Sequence, residues 1–195
     1  MVMTTASTSG LDSVVAAAKA QAPGRGLPPV HLWRPEHCGE IDIVIRANGQ
    51  WMHEGSPIGR EALVRLFSTV LRLDPDGYHL VTPVEKLRIT VEDAPFVAVA
   101  VEAVTDERGP VLRFTTNVGD EVDADADHPI RVETDAQTGE PRPYLMVRRG
   151  LEALIARPVF YELVDMASDL AGDDLLAVES SGARFGLGRA ETLAS

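Results

Sequence analysis

The stretch "EIDIVIRANGQWMHEGSPIGREALVRLFSTVLRLD" (Glu40–Asp74) decides the fold class. Ile41, Ile43 and Ile45 alternate with Asp42, Val44 and Arg46, the period of a strand with one buried face. Asn48-Gly49 supplies the positive φ values of a tight turn, and Gln50 to Glu54 reads as the returning strand. The period then changes. Leu63, Leu66, Phe67, Val70 and Leu71 fall at i, i+3, i+4, i+7 and i+8, one apolar stripe of a helix. Ser56 is a natural N-cap and Pro57 suits the first helical position, so Arg60 is expected in the first turn. "DPDG" (Asp74–Gly77) ends the helix. A hairpin followed at once by an amphipathic helix points to an α+β chain.

Upstream, residues 1–10 are small and polar and read as disordered. Asp12 caps a short helix over Ser13–Ala22, which Pro23, Gly24 and Gly26 stop. "LPPVHLW" (Leu27–Trp33) is an extended, Pro-stiffened arm. Downstream, strands are expected at Tyr78–Thr82, Lys86–Glu92, Phe96–Val104 and Val111–Thr116. A hairpin joins Ile130–Thr134 to Arg142–Arg149. A second helix runs Pro158–Leu170, a last strand covers Leu175–Glu179, and a Gly-rich tail follows. Both halves read hairpin, then helix, then strand, an echo of duplication. The expected layout is a flexible N-terminus with a short helix over 1–26, an α+β domain over 27–108 and a second over 109–195. Each is mostly antiparallel sheet with a packed helix.

Composition narrows the function classes. The chain has 195 residues, 45% of them hydrophobic, enough to bury a substantial core. Thirty acidic residues against 18 Lys and Arg give a net charge of −12. That excess disfavours general nucleic-acid binding, which rests on cations that neutralise phosphates. Cys38 is the only cysteine, so no intrachain disulfide forms and a reducing compartment is expected. The N-terminus lacks the basic start and apolar run of a secretory signal. No stretch reaches the roughly 18 to 20 apolar residues that cross a bilayer. A soluble cytoplasmic protein without membrane contact is the expectation.

Familiar catalytic signatures are absent from the sequence. There is no nucleophile elbow, and "GARFGLG" (Gly182–Gly188) has the wrong spacing for a dinucleotide loop. Asp123, Asp125 and Asp127 begin like a calcium loop, but His128 stands where Gly belongs and Thr134 where Glu belongs. No metal or cofactor is expected. What remains is Arg60 at a helix start and the stretch "VTPVEKLRITVED" (Val81–Asp93). There Leu87, Ile89 and Val91 face one way, and Lys86, Arg88, Thr90 and Glu92 the other, as on a half-solvated strand. The same residues could line a cleft, with Lys86 and Arg88 meeting an anion and Glu85, Glu92 or Asp93 as polar anchors.

Long runs carry a family likeness. "PPVHLWRPEHCGEIDIVI", "GQWMHEGSPIGREALVRLFSTVLR", "YHLVTPVEKLRITVEDAPFVA" and "VFYELVDMA" resemble the bacterial family known as domain of unknown function 1285, from about Pro28 to about Gly188. The resemblance implies a two-domain α+β fold with repeated motifs. It also implies an interdomain cleft for a nucleotide-like ligand and a role in signalling. The residues matching its motifs are His31, Trp33, Cys38, Gly39, Trp51, Pro57, Arg60, Thr82, Pro83, Glu85, Lys86, Glu92, Asp93, Pro95 and Phe96. The resemblance assigns a role to none of them.

The leading expectation is a non-catalytic protein that binds a small anionic ligand, a nucleotide-like one being a candidate, in a cleft between its two halves. The candidate ligand-binding residues are Trp51, Arg60, Thr82, Glu85, Lys86, Arg88, Glu92 and Asp93, with Trp51 able to stack a flat ring. Two alternatives stand beside it. One is a protein-interaction module with a signalling partner. The other is an enzyme of unrecognised class that uses Glu85 or Asp93 as a base.

Overall fold

A computed structural model describes residues 7–21, 26–107, 109–169 and 175–189. The expected disorder of residues 1–6 and the helix stop at Pro23 and Gly24 lie outside the described residues. So does the end of the Gly-rich tail. The chain divides into two compact α+β units, one up to Asp93 and one from Ala94.

In the first unit, helix α1 (Ser7–Gln21) begins six residues earlier than expected. A 3-10 turn at Val30–Leu32 lies within the Pro-rich arm. Six strands follow: β1 (His37–Ile45), β2 (Trp51–His53), β3 (Ser56–Pro57), β4 (Leu71–Asp74), β5 (Gly77–Val81) and β6 (Glu85–Val91). Helix α2 (Glu61–Thr69) stands between β3 and β4. Ser56 and Pro57 therefore pair with β2 instead of starting the helix, and Arg60 is the N-cap. Leu71 also leaves the helix, because β4 pairs with β5.

The strand order is β3-β2-β1-β6-β5-β4. Each half is an antiparallel meander, and the two halves meet where β1 and β6 run parallel. One sheet face carries Ile43, Ile45, Leu80, Leu87 and Ile89, all buried. The two helices close it. Trp51, opposite Ile45, stacks on Phe67 of α2 with centroids 6.2 Å apart. Val14 and Ala18 of α1 are buried there, and Ser13 Oγ donates to Glu85 Oε1 at 2.5 Å.

The second unit repeats this topology. Its strands are β7 (Phe96–Asp106), β8 (Gly109–Thr116), β9 (Glu121–Asp123), β10 (Ile130–Thr134), β11 (Pro141–Arg148) and β12 (Leu151–Ile155). Their order is β10-β11-β12-β7-β8-β9, and the first and last strands, β7 and β12, again pair parallel at the centre. The helices differ in place: α2 follows the third strand, whereas α3 (Arg157–Met166) follows the sixth. A three-stranded sheet of β13 (Ser168–Asp169), β14 (Leu175–Ser180) and β15 (Ala183–Arg189) completes the unit. Part of the presumed Gly-rich tail is thus a strand. The expected domain boundary at 108/109 falls at the tip of the β7–β8 hairpin, which a boundary there would cut. Val99 is the extra residue of a bulge in that pairing, which explains its outward-turned apolar side chain.

Ser180 joins the small sheet to the large one. Its fully buried hydroxyl accepts from Leu112 N at 2.8 Å and donates to Ala124 O at 2.6 Å. Ser180→Ala leaves both buried groups unpaired and should cost about 1–3 kcal/mol in urea unfolding. Phe67→Ala, which empties the space against Trp51, should cost about 3–5 kcal/mol by the same measurement. A loss under half of either figure would show that the site repacks.

Candidate functional site

The face of the first sheet opposite the helices is polar. Register places Arg72, His79, Lys86, Arg88, Cys38 and Glu40 on it together. Two local structures divide this face.

Over β4 and β5 lies an ion network. Arg72 holds Asp74 with two hydrogen bonds, Nε to Oδ1 at 2.7 Å and Nη2 to Oδ2 at 2.8 Å. Its Nη1 donates to Val30 O and Trp33 O, so the same guanidinium ties down the Pro-rich arm. Lys86 Nζ donates to Asp74 Oδ2 at 2.8 Å and reaches Asp76 Oδ1 at 3.5 Å. His79, 2% exposed, lies beside both carboxylates, with Nδ1 also bonded to Gly77 O at 2.9 Å. Burial raises the Asp74 carboxyl, but the hydrogen bonds and charges of Arg72 and Lys86 outweigh it and bring its pKa to about 2. The hydrogen bond to Asp74 raises the Lys86 ammonium. Burial, with the charge of Lys86, lowers the His79 imidazole, although Asp76 and Asp74 pull the other way. Asp74, Asp76 and His79 bring donor atoms within 4.8 Å of one another, a spacing a divalent metal could use. Arg72 and Lys86 already supply that positive charge, so a metal would have to displace two built-in cations.

Between β1 and β6 the ladder opens. Glu40 pairs with Arg88 and Val44 with Thr90, so three residues of β1 span the place of one residue of β6. An open depression of about 340 Å³ lies at this irregularity, lined by Glu40, Ile41, Asp42, Arg88, Ile89 and Thr90. Glu40, Asp42, Arg88 and Thr90 are all exposed. Arg88 forms no ion pair with its register partner Glu40. Its guanidinium instead lies over Gly77, with Nε and Nη2 3.8 Å from where a Cβ would stand. A Cβ at 77 would only touch the guanidinium at ordinary contact distance, and it is the φ of +123° that favours glycine there.

The expected site residues separate accordingly. Arg88 alone among them lines the depression. Lys86 is committed to the ion network. Trp51, 2% exposed, is a core residue against Phe67 with no face free for a ligand ring. Thr82 Oγ1 accepts from Glu85 N at 3.2 Å and shapes the corner before β6. Glu85, 8% exposed, is held by Ser13. Glu92 accepts from Arg46 Nη1 and Ala47 N, both at 3.0 Å, and fastens the β1–β2 turn to the end of β6. Asp93 follows it, half-buried, at the unit boundary. Arg60 is exposed beyond the short edge strand β3 and is not part of the depression. Glu40 and Asp42 are the residues that sequence reasoning missed, because they look like the wet side of an ordinary strand.

In the second unit, Asp123 binds Arg113, and Asp125 caps Asp127 N and His128 N. The acidic loop is therefore held by internal bonds. No helix among the described residues is long and apolar enough to cross a membrane.

The ion network sets an acid limit. The Asp74 carboxyl is depressed in the folded chain, so its contribution is present above the unfolded value near 4 and is lost as pH falls toward about 2. His79, also depressed, favours the folded chain above its unfolded value near 6.5 and opposes it below. Asp74→Asn should flatten the stability loss between about pH 4 and 2 and weaken the protein at pH 7. Urea midpoints across pH check this, and an unchanged acid slope in the variant would refute it.

Comparison with known proteins agrees with this architecture. Residues 28–94 match the family described as "Domain of unknown function (DUF1285), N-terminal domain", and residues 95–187 match "Protein of unknown function (DUF1285), C-terminal domain". The junction lies within two residues of the unit boundary. A crystal structure of a DUF1285 family protein from Silicibacter pomeroyi DSS-3 is 48% identical, with a TM-score of 0.82 over 93% of this chain and 98% of that one. One from Shewanella baltica OS155 is 29% identical, with a TM-score of 0.51 over 63% of this chain and 90% of that one. No curated protein matches. Two consecutive domain matches and a relative sharing nearly half its residues over almost the whole chain establish that this protein belongs to the DUF1285 family.

Proposed function

We propose that this protein binds a small molecule at the β1–β6 depression, with Arg88 receiving an anionic group of the ligand. One observation carries the reading. Arg88 is an exposed guanidinium without an ion-pair partner among the described residues, and it stands where the central ladder opens. The other cations of that face, Arg72 and Lys86, already have carboxylate partners. Interruptions of a ladder recur beside binding sites because they re-aim side chains and leave backbone groups open to a ligand.

A non-catalytic role, a part in signalling and a cytoplasmic location belong to the same reading. A nucleotide-like ligand is one form it can take, through its phosphate. Glu85, a candidate base, is held by Ser13, which favours binding over catalysis. The competing reading of a protein-interaction module draws on Leu32 and Val84, which are 67% and 63% exposed.

Thermal shift tests the proposal against inorganic phosphate, nucleotides and small carboxylic and amino acids. A ligand present at 100 times its Kd adds about 2.7 kcal/mol of stability, a readily measured rise in Tm. Arg88→Ala should abolish the rise without changing the unliganded Tm by more than a degree or two, because the side chain is exposed. A flat response across every class would sink the reading.

A further inference from the structure

We propose that the ligand of the β1–β6 depression is zwitterionic. Its protonated amine meets Glu40 and Asp42, and its neighbouring carboxylate meets Arg88, as in an α-amino acid. The proposal rests on the binding reading above and names the chemical class that the site selects.

The charges of the depression carry it. Glu40 and Arg88 are register partners on adjacent parallel strands, where Cα atoms stand about 5 Å apart. Opposite charges in that relation ordinarily pair. Here they do not, because Arg88 lies over Gly77, on the β5 side of its strand. Asp42 forms no ion pair among the described residues either. Glu40, Asp42 and Arg88 therefore line one depression without ion-pair partners among the described residues, two carboxylates beside one arginine whose flexible side chain can turn from Gly77 to a ligand.

Strand geometry places the carboxylates usefully. Residues two apart on one strand share a face and lie roughly 7 Å from each other. An ammonium group has three donors and can bridge such a pair, leaving one donor for the Thr90 hydroxyl. A guanidinium matches a carboxylate with two parallel hydrogen bonds. The spread of the groups across two strands fits a molecule whose amine and acid are a few bonds apart. A polyphosphate fits worse, since it would bring several negative charges to a site where carboxylates outnumber the cation. Expectations of a simple anion consider Arg88 without Glu40 and Asp42.

The sign of one double variant separates the possibilities. Free α-amino acids, inorganic phosphate and ADP are each titrated into the full chain, with backbone amide shifts of residues 40–42 and 88–90 as the readout. The zwitterion proposal expects at least one amino acid to move these amides, and Glu40→Gln with Asp42→Asn to weaken its binding about tenfold or more, the scale of a lost charge-assisted contact. Arg88→Ala should weaken it comparably. All three positions are exposed, and unchanged circular dichroism would verify that the variants fold.

If phosphate or ADP binds and the double variant tightens it, the depression takes a plain anion. The binding reading then stands and the zwitterion proposal falls. ADP binding that appears only with Mg²⁺ would make a metal the positive centre and likewise overturn the amine. Amino-acid binding untouched by these variants would place the site elsewhere. If no probe moves these amides in the unsubstituted protein, both readings fall.

Discussion

Each six-stranded sheet depends on one parallel contact between its first and last strands. β1 must find β6 across 39 intervening residues, and β7 must find β12 across 44. Every other pairing in those sheets is antiparallel between consecutive strands, which short connections bring together cheaply. The long-range contact therefore turns two meanders into one sheet. Phe67, Trp51, Val14 and Ala18 then close the apolar face of the first sheet.

The same contact explains why the candidate site is where it is. A parallel pair joining two meanders has no turn to set its register, so an irregularity there is tolerated if both faces remain correct. β1 carries two residues more than β6 across the gap. An even excess preserves the side-chain period of two, so Ile41, Ile43 and Ile45 still point inward and Glu40 and Asp42 outward. The opening thus exposes polar groups at mid-sheet, while Ile41 stays half-buried and Ile89 buried at its lining. The single-residue bulge at Val99 has the opposite result, and that apolar side chain is exposed.

Much of this was legible in the chain. The first hairpin, the apolar stripe of α2, the strands of Tyr78–Glu92 and the helix after Pro158 rest on local periodicity, and local periodicity survives folding. The misplaced start of α2 has a specific cause. Ser56-Pro57 is a good helix opening, but pairing with Met52 and His53 draws those two residues into β3. Val70 and Leu71 extend the helical stripe in sequence, while the turn before β5 pulls Leu71 into a strand. β12 follows β11 through the two-residue turn Arg149-Gly150, both at positive φ, and went unseen because the expected hairpin was closed at Arg149 with its last turn unread.

The candidate site shows the same division. Sequence alone determined an acidic α+β chain with two halves, a single cysteine, and a polar face on β6 that includes Lys86 and Arg88. It could not tell those two cations apart, because neighbouring positions on one strand face look alike until their partners are known. Tertiary structure decided that Lys86 is neutralised by Asp74 from β4 while Arg88 lies open over Gly77. It also brought Glu40 and Asp42 beside Arg88 through the pairing of β1 with β6. The physical reason is range: side-chain period is written residue by residue, whereas charge compensation depends on strands that meet only once the sheet is assembled.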